Sequence, residues 1–166
     1  MTDLAPLEAA AAALVERCRT RGFGIATAES CTGGLVAAAI TAIPGSSAVF
    51  DRGFVTYAYA AKTDLLGVPA DLLGRVGAVS AEVAAAMAAG ALARSPAEIA
   101  VAVTGIAGPG GGTEAKPVGL VYFCAVRRDR PPIAAVRQFG DLGRSAIRLA
   151  STHEALRLLM EQASLA

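Results

Sequence analysis

The sequence predicts a single α/β domain over residues 1–166, with three layers in which helices cover both faces of a mixed β-sheet. Helical patterns alternate with short apolar runs, as in layered α/β folds. Two strand-like runs follow each other directly near the C-terminal end, which indicates a hairpin and a sheet that is not all parallel. No repeat or linker-like stretch divides the chain, and 166 residues suffice for one well-buried core.

The first half of the chain predicts three helices and two strands. An apolar stripe with helical spacing, which includes Leu7, Leu14 and Cys18, predicts the first helix. Aromatic and β-branched residues predict a strand that is either long or bent at Gly53. The predicted elements are a helix over residues 4–20, a strand over 25–28, a helix over 34–42, a strand over 49–59 and a short helix over 62–66.

The second half predicts a helix, a strand, a glycine-rich loop, a hairpin and a final helix. Ser80 is the expected N-cap of the first of these helices, because a serine side chain accepts a hydrogen bond from the first helical turn. An arginine-proline turn joins the two hairpin strands. The predicted elements are a helix over residues 81–93, a strand over 98–103, a loop over 106–117, strands over 118–126 and 133–139, and a helix from 143 or 145 to 160.

Composition and charge limit the cellular compartment and the binding partners that we expect for this protein. Fifteen Lys and Arg against fourteen Asp and Glu give a net charge of +1, and only residues 127–130 concentrate positive charge, so direct nucleic-acid binding is not expected. Three cysteines without C-x-x-C spacing fit a reducing compartment better than a disulfide framework or a metal site. The start lacks a secretory signal, and the longest apolar stretch, residues 83–93, is short of the ~20 residues of a membrane span. We therefore expect a cytoplasmic protein that binds neither metal nor membrane.

A hydroxyl and a thiol follow the first predicted strand, in Ser30 and Cys31. Two glycines and a predicted helix come next, and a helix N-terminus presents unpaired N–H groups at the positive end of its dipole. This arrangement suits a nucleophile beside oxyanion donors, and it equally suits a bound phosphate. An ordinary N-cap serine followed by a buried cysteine gives the same pattern.

A serine nucleophile needs a base, and the sequence offers two candidates. The single histidine, His153, lies in the final helix within a segment typical of an exposed surface, so a Ser-His-Asp triad is not expected. Lys62, one of two lysines, lies in an apolar segment, and a desolvated lysine is able to accept a proton from a serine. A surface position for Lys62 is the structural alternative. Tyr57 or Tyr59 is suited to orient the lysine, or is a half-buried strand residue.

A glycine-rich loop and two arginines add possible ligand contacts. Residues 104–112 follow the end of another strand, and their glycines leave backbone N–H groups accessible, although no Gly-Lys-Ser/Thr of a Walker loop closes the segment. Arg144 and Arg148 are four residues apart, so they project from one face of the final helix. Two guanidinium groups suit a phosphate or carboxylate, and a solvated helix face is the alternative.

Four strings of residues together resemble the CinA C-terminal domain family, whose members include the nicotinamide-nucleotide amidases, or NMN deamidases. The similarity runs from about residue 4 to residue 159 and is to the stand-alone form. The strings are TAESCTGG at residues 27–34, GAVS at 77–80, VTGIAGPGGG at 103–112 and KPVG at 116–119.

The resemblance implies hydrolysis of the carboxamide of nicotinamide mononucleotide to nicotinate mononucleotide and ammonia, without a metal or organic cofactor. It implies that Ser30 is the nucleophile, that Lys62 is its base and that Tyr57 assists. The remaining implied site residues would bind the substrate. They are Cys31, Thr32, Gly33, Gly34, Thr104, Gly105, Gly108, Arg144 and Arg148.

Other functions stay open at this point. The segment over residues 57–59 is Tyr-Ala-Tyr where the family usually has Tyr-Ser-Asn, which leaves room for a non-catalytic module that binds pyridine nucleotides or phosphate. A competence or DNA-damage partner protein is a further alternative, against which the near-neutral charge argues. A thiol mechanism at Cys31 would need a lowered pKa. A homodimer is possible through small apolar faces such as residues 83–93.

Overall fold

The computed structural model describes residues 3–166, which form five strands and six α-helices around one sheet. The strands are β1 (Ile25–Glu29), β2 (Phe50–Val55), β3 (Ile99–Gly105), β4 (Leu120–Arg127) and β5 (Arg130–Gln138). The helices are α1 (Glu8–Arg21), α2 (Leu35–Thr41), α3 (Tyr59–Leu66), α4 (Ala70–Val76), α5 (Ala81–Ala93) and α6 (Arg144–Ser164).

The sheet has the order β2-β1-β3-β4-β5 and is mixed, as predicted. β1 pairs in parallel with β2 and with β3, whereas β4 is antiparallel to both β3 and β5. The predicted hairpin is therefore confirmed. Pro131 and Pro132 lie inside β5 rather than in the turn. β5 is an edge strand and its pairing with β4 is irregular at these two residues, and edges and bulges are the places where a sheet tolerates proline.

The two faces of the sheet bury separate apolar clusters. α1, α2 and α6 pack on one face, over Ile25 of β1 and Val101 of β3. α3, α4 and α5 cover the other face, over the small side chains of Ala28 and Ala102. Successive strand residues point to opposite faces, so the alternation of large and small residues sorts them between the layers. The predicted three-layer α/β arrangement is confirmed.

Several element boundaries differ from the prediction around β2 and α3. The predicted strand over residues 49–59 ends at Val55, and α3 begins at Tyr59 instead of residue 62. The pairing of β2 with β1 is irregular at Asp51 and not at Gly53. Gly53 packs closely against β1, where an added methyl group would lie 2.8 Å from Thr27 Oγ1. The backbone carbonyls of the turn after β2 bind a side chain of α3, described below.

The observed helices include one that the sequence does not predict and one whose predicted N-cap is confirmed. The sequence does not predict α4, because Gly67 and Pro69 are typical of a break. In the structure, Pro69 stands at the N-cap of this seven-residue helix. Ser80 is the predicted N-cap of α5 and accepts a hydrogen bond from the Val83 N–H at 3.3 Å. α6 continues to Ser164, beyond the predicted end at residue 160. No helix within residues 3–166 has the length and apolar character needed to cross a membrane.

Candidate active site

The predicted site residues gather at the carboxyl edge of the parallel strands. β1, β2 and β3 run in the same direction, so the residues that follow them lie side by side. The Ser30 N–H donates to the carbonyl of Val103 in β3 at 3.0 Å, and the Thr56 N–H donates to the carbonyl of Glu29 in β1 at 2.8 Å. The backbone is thus held by both neighbouring strands at the point where Ser30 projects.

Glu29, and not Ser30, caps the helix that follows β1. Its carboxylate is fully buried and accepts hydrogen bonds from the N–H groups of Gly34 at 3.0 Å, Val36 at 3.0 Å and Ala37 at 2.9 Å. These are N–H groups that the first turn of a helix cannot pair internally, and a negative charge also suits the helix dipole. The N-cap alternative for Ser30 is therefore wrong, and its hydroxyl is left for other contacts.

Glu29→Gln is expected to lower the free energy of unfolding by about 2–3 kcal/mol, because one acceptor oxygen becomes an NH2 group facing backbone donors. Urea unfolding followed by circular dichroism measures the change. The matched control is Glu114→Gln in an exposed loop, which we expect to change stability by less than about 0.5 kcal/mol. Equal effects of the two substitutions would contradict the capping role.

Lys62, on α3, contacts Ser30 directly. Its Nζ lies 3.0 Å from Ser30 Oγ, 2.6 Å from the Thr56 carbonyl oxygen and 3.3 Å from the Tyr57 carbonyl oxygen. The side chain is 0% exposed, so the alternative of a surface lysine is wrong. The expected nucleophile and the expected base lie within hydrogen-bonding distance of each other.

Burial controls the protonation of the two groups beside Ser30. Loss of hydration lowers the pKa of Lys62 from 10.5 to about 8. Burial raises the pKa of the Cys31 thiol to about 11, even though Lys62 and Arg148 favour the thiolate. An uncharged amine is therefore accessible close to neutral pH, whereas a thiolate is not. This shift argues against a thiol mechanism, which requires a lowered pKa at Cys31.

Arg148, in the second turn of α6, reaches the turn that follows Ser30. Its Nε donates to the Cys31 carbonyl at 3.1 Å, and its Nη2 donates to the Thr32 carbonyl at 2.9 Å. Gly33 in the same turn has a φ of +60°, a conformation that favours glycine. Four of the predicted residues therefore lie together: Cys31, Thr32 and Gly33 form the turn, and the Arg148 guanidinium donates to its backbone carbonyls.

Arg144, at the start of α6, bridges the loops that follow β2 and β3. Its Nη1 donates to the Gly108 carbonyl at 2.9 Å, and its Nη2 donates to the Tyr57 hydroxyl at 2.9 Å. Tyr57 also faces Lys62 through its carbonyl. Arg144 and the Tyr57 side chain are exposed, so both remain accessible to a ligand, and phosphate binding by Arg144 stays a prediction.

Thr104 and Gly105 end β3 and support the far wall of the site. The buried Thr104 hydroxyl donates to the Ala78 carbonyl at 2.8 Å, and the Ala78 N–H donates to the Tyr59 hydroxyl at 3.1 Å. Gly105 packs so closely on β4 that an added methyl would lie 2.7 Å from a β4 carbonyl oxygen. No hydrogen bond among the described residues joins the Thr104 side chain to Ser30, so a role of Thr104 toward substrate stays a prediction.

Sequence reasoning missed two residues of this site. Glu29 carried a signal, since an acidic residue shortly before a helix is typical of a helix start. Thr56 carried none, because it contributes a backbone carbonyl that any residue type would supply. His153 is exposed on α6, as expected. Across residues 3–166, no three His, Cys, Asp or Glu side chains group in a way that could hold a metal ion.

Comparison with known proteins identifies relatives along nearly the whole chain. The model of the CinA C-terminal domain family matches residues 7–163. The competence/damage-inducible protein CihA from Agrobacterium tumefaciens is 51% identical, with a TM-score of 0.92 over 93% of this chain and 94% of that chain. A CinA superfamily protein from Escherichia coli is 35% identical, with a TM-score of 0.89 over 94% of this chain and 90% of that chain.

Curated relatives differ in length and in name. The nicotinamide-nucleotide amidohydrolase PncC from Enterobacter agglomerans is 53% identical over 132 residues, which are 79% of each protein. A CinA-like protein from Mycobacterium sp. (strain JLS) is 58% identical over 139 residues, which are 83% of this chain but only 32% of that longer protein. The family model covers most of the chain and relatives at 51% and 53% identity cover most of it as well, so the chain belongs to the CinA C-terminal domain family.

Proposed function

We propose that this protein hydrolyses the carboxamide of nicotinamide mononucleotide, with Ser30 as nucleophile and Lys62 as general base. The observation that carries the proposal is the 3.0 Å contact between Lys62 Nζ and Ser30 Oγ inside a buried site. The choice of substrate is supported by the relative named nicotinamide-nucleotide amidohydrolase, of which the aligned region covers 79%.

The contacts of Lys62 favour the direction of proton transfer that this reaction needs. A neutral amine has two N–H bonds and one lone pair. The carbonyls of Thr56 and Tyr57 can only accept hydrogen bonds, so they take the two N–H bonds. The lone pair is then left for the Ser30 hydroxyl, which is able to donate. Two backbone carbonyls thereby orient the base toward the nucleophile.

Two backbone N–H groups are available for the oxyanion. Among the described residues, the N–H groups of Cys31 and Thr32 donate to no backbone carbonyl. The next N–H, of Gly33, donates to the Ser30 carbonyl at 3.1 Å, and the first N–H groups of α2 bind the Glu29 carboxylate. The donors that stabilise the tetrahedral intermediate are therefore those of the two residues directly after the nucleophile.

The proposed reaction proceeds through an acyl-enzyme. Lys62 removes the Ser30 proton as Oγ attacks the carboxamide carbon, and the carbonyl oxygen becomes the oxyanion. The C–N bond then breaks while Lys62 returns that proton to the leaving nitrogen, which departs as ammonia. Lys62 next deprotonates a water molecule that attacks the ester carbon. Collapse of the second intermediate releases the carboxylic acid, which loses its proton to the solvent and becomes the carboxylate, and Ser30 recovers its proton from Lys62.

Incubation of the purified protein with nicotinamide mononucleotide tests the proposal. We expect release of ammonia and nicotinate mononucleotide in equal amounts, measured by a coupled ammonia assay and by mass spectrometry. In water enriched in heavy oxygen, the new carboxylate should carry one solvent oxygen, because water cleaves the ester. Binding of the nucleotide without ammonia release would contradict hydrolysis and favour the non-catalytic module.

A further inference from the structure

Arg148 binds the turn that follows the nucleophile from a distant part of the chain. It lies 116 and 117 residues along the chain from its two acceptors, the carbonyls of Thr32 and Cys31. The guanidinium donates to two successive carbonyls from two different nitrogens, Nε and Nη2, as the fixed fork of a planar group with several N–H bonds allows. A methyl group at Gly33 would lie 3.2 Å from Arg148 Nη2, so this glycine leaves the space that the guanidinium needs.

The carbonyl contacts determine where the neighbouring N–H groups point. In a trans peptide, the C=O and N–H bonds point in opposite directions, and the peptide bonds of this turn are trans. The contact of Arg148 with the Cys31 carbonyl therefore directs the Thr32 N–H away from the guanidinium. In the same way, the hydrogen bond from Gly33 N–H to the Ser30 carbonyl orients the Cys31 N–H.

We propose that Arg148 is a positioning residue that aligns the Thr32 N–H for the oxyanion, and that it does not bind the substrate phosphate. This inference rests on the proposed function, in which the Thr32 N–H is an oxyanion donor. A positive charge on the Cys31 carbonyl also polarises that peptide and strengthens its N–H as a donor. Arg148 thus acts on the reaction through the backbone, at the peptide next to the nucleophile.

The contacts of Arg148 separate this role from phosphate binding. Its Nε and one N–H of Nη2 already donate to protein carbonyls, so a phosphate that used the side-on pair of Nε and Nη2 hydrogen bonds would have to displace these carbonyls. Loss of these two hydrogen bonds would remove the contacts that hold the turn on which the oxyanion donors lie. A positioning residue affects turnover of substrates with and without a phosphate, whereas a phosphate ligand affects only the former.

The test compares Arg148→Met with the native protein on two substrates, nicotinamide mononucleotide and p-nitrophenyl acetate, which has no phosphate. We expect kcat for the nucleotide and the rate of ester cleavage to fall about 100-fold, the usual effect of losing one oxyanion donor. We expect KM for the nucleotide to change less than about threefold. Arg148→Lys should recover part of the loss, because its ammonium is able to bind one carbonyl. A raised KM for the nucleotide with unchanged ester cleavage would overturn the inference.

Amide hydrogen exchange at residues 31–34 provides a readout that needs no substrate. It should accelerate in Arg148→Met and not in Arg157→Met, a control at an arginine of the same helix whose partners are Glu154 and Glu161. Unchanged exchange in Arg148→Met would overturn the inference, whatever the activities. If the native protein releases no ammonia from the nucleotide, the proposed function fails by itself, and ester cleavage with exchange still decides the role of Arg148.

Discussion

Ser30→Ala is expected to abolish ammonia release, with a fall in kcat of about 10⁴-fold or more, because removal of a nucleophile leaves only binding and oxyanion stabilisation. The Ser30 hydroxyl is the group that Lys62 Nζ contacts at 3.0 Å, and helix capping does not use it. Steady-state ammonia release measures the loss. Binding of the nucleotide, measured by calorimetry, should survive the substitution, since the smaller side chain keeps the turn intact.

The neighbouring thiol provides the comparison that identifies the nucleophile. Cys31→Ala should lower kcat by less than about tenfold, because the thiol is buried, protonated and not the attacking group. Ser164→Ala, at an exposed position near the C-terminal end of α6, is the matched control for loss of a serine hydroxyl and should leave activity unchanged. Full activity in Ser30→Ala together with its loss in Cys31→Ala would contradict the serine mechanism.

Lys62→Met is expected to lower kcat by at least about 10³-fold, since the site then lacks the base for both halves of the reaction. Methionine fills a similar volume, so the fold should persist. In the native protein, kcat/KM should rise with pH up to about 8 and then level off, because the reactive amine is the uncharged form and its pKa is about 8. Lys116→Met removes the other lysine and should keep this pH profile.

The same lysine predicts a pH dependence of stability that does not involve substrate. Its pKa is about 8 in the folded protein against 10.5 as the ordinary value, so the unfolded chain holds the proton more tightly. The penalty for burying the ammonium, roughly 3 kcal/mol, is fully present below pH 8. It disappears as the pH rises from about 8 to 10.5. The native protein should therefore gain stability relative to Lys62→Met across this window.

Denaturant unfolding of the two proteins at several pH values measures that difference. A constant difference in the free energy of unfolding between pH 7 and pH 10 would show that Lys62 keeps an ordinary pKa. That result would remove the physical basis of the general-base role. A pH-rate profile that lacks an inflection near 8, despite the stability change, would assign the base to another group.

The candidate site illustrates which features of a residue are visible in a sequence. The place of Ser30 after a strand and before two glycines, and the apolar surroundings of Lys62, make both residues candidates, and the family resemblance implies their roles. The hydrogen-bond partners of Arg148 were not identified, because they are two backbone carbonyls more than a hundred residues away along the chain. The sequence suggested a phosphate for this arginine, since a charged group on a helix face looks the same whether it meets solvent, ligand or protein.

The sequence by itself determined the layered α/β fold and the hairpin, and it made Ser30 and Lys62 candidates for the roles that the family resemblance implies. It did so because the alternation of apolar residues and the positions of glycine and serine act over short stretches of chain. Only the tertiary structure decided that Lys62 is buried against Ser30, that Glu29 caps α2 and that Arg148 holds the turn between them. These contacts depend on which strand ends the parallel sheet brings together, and on backbone groups that are identical in every residue.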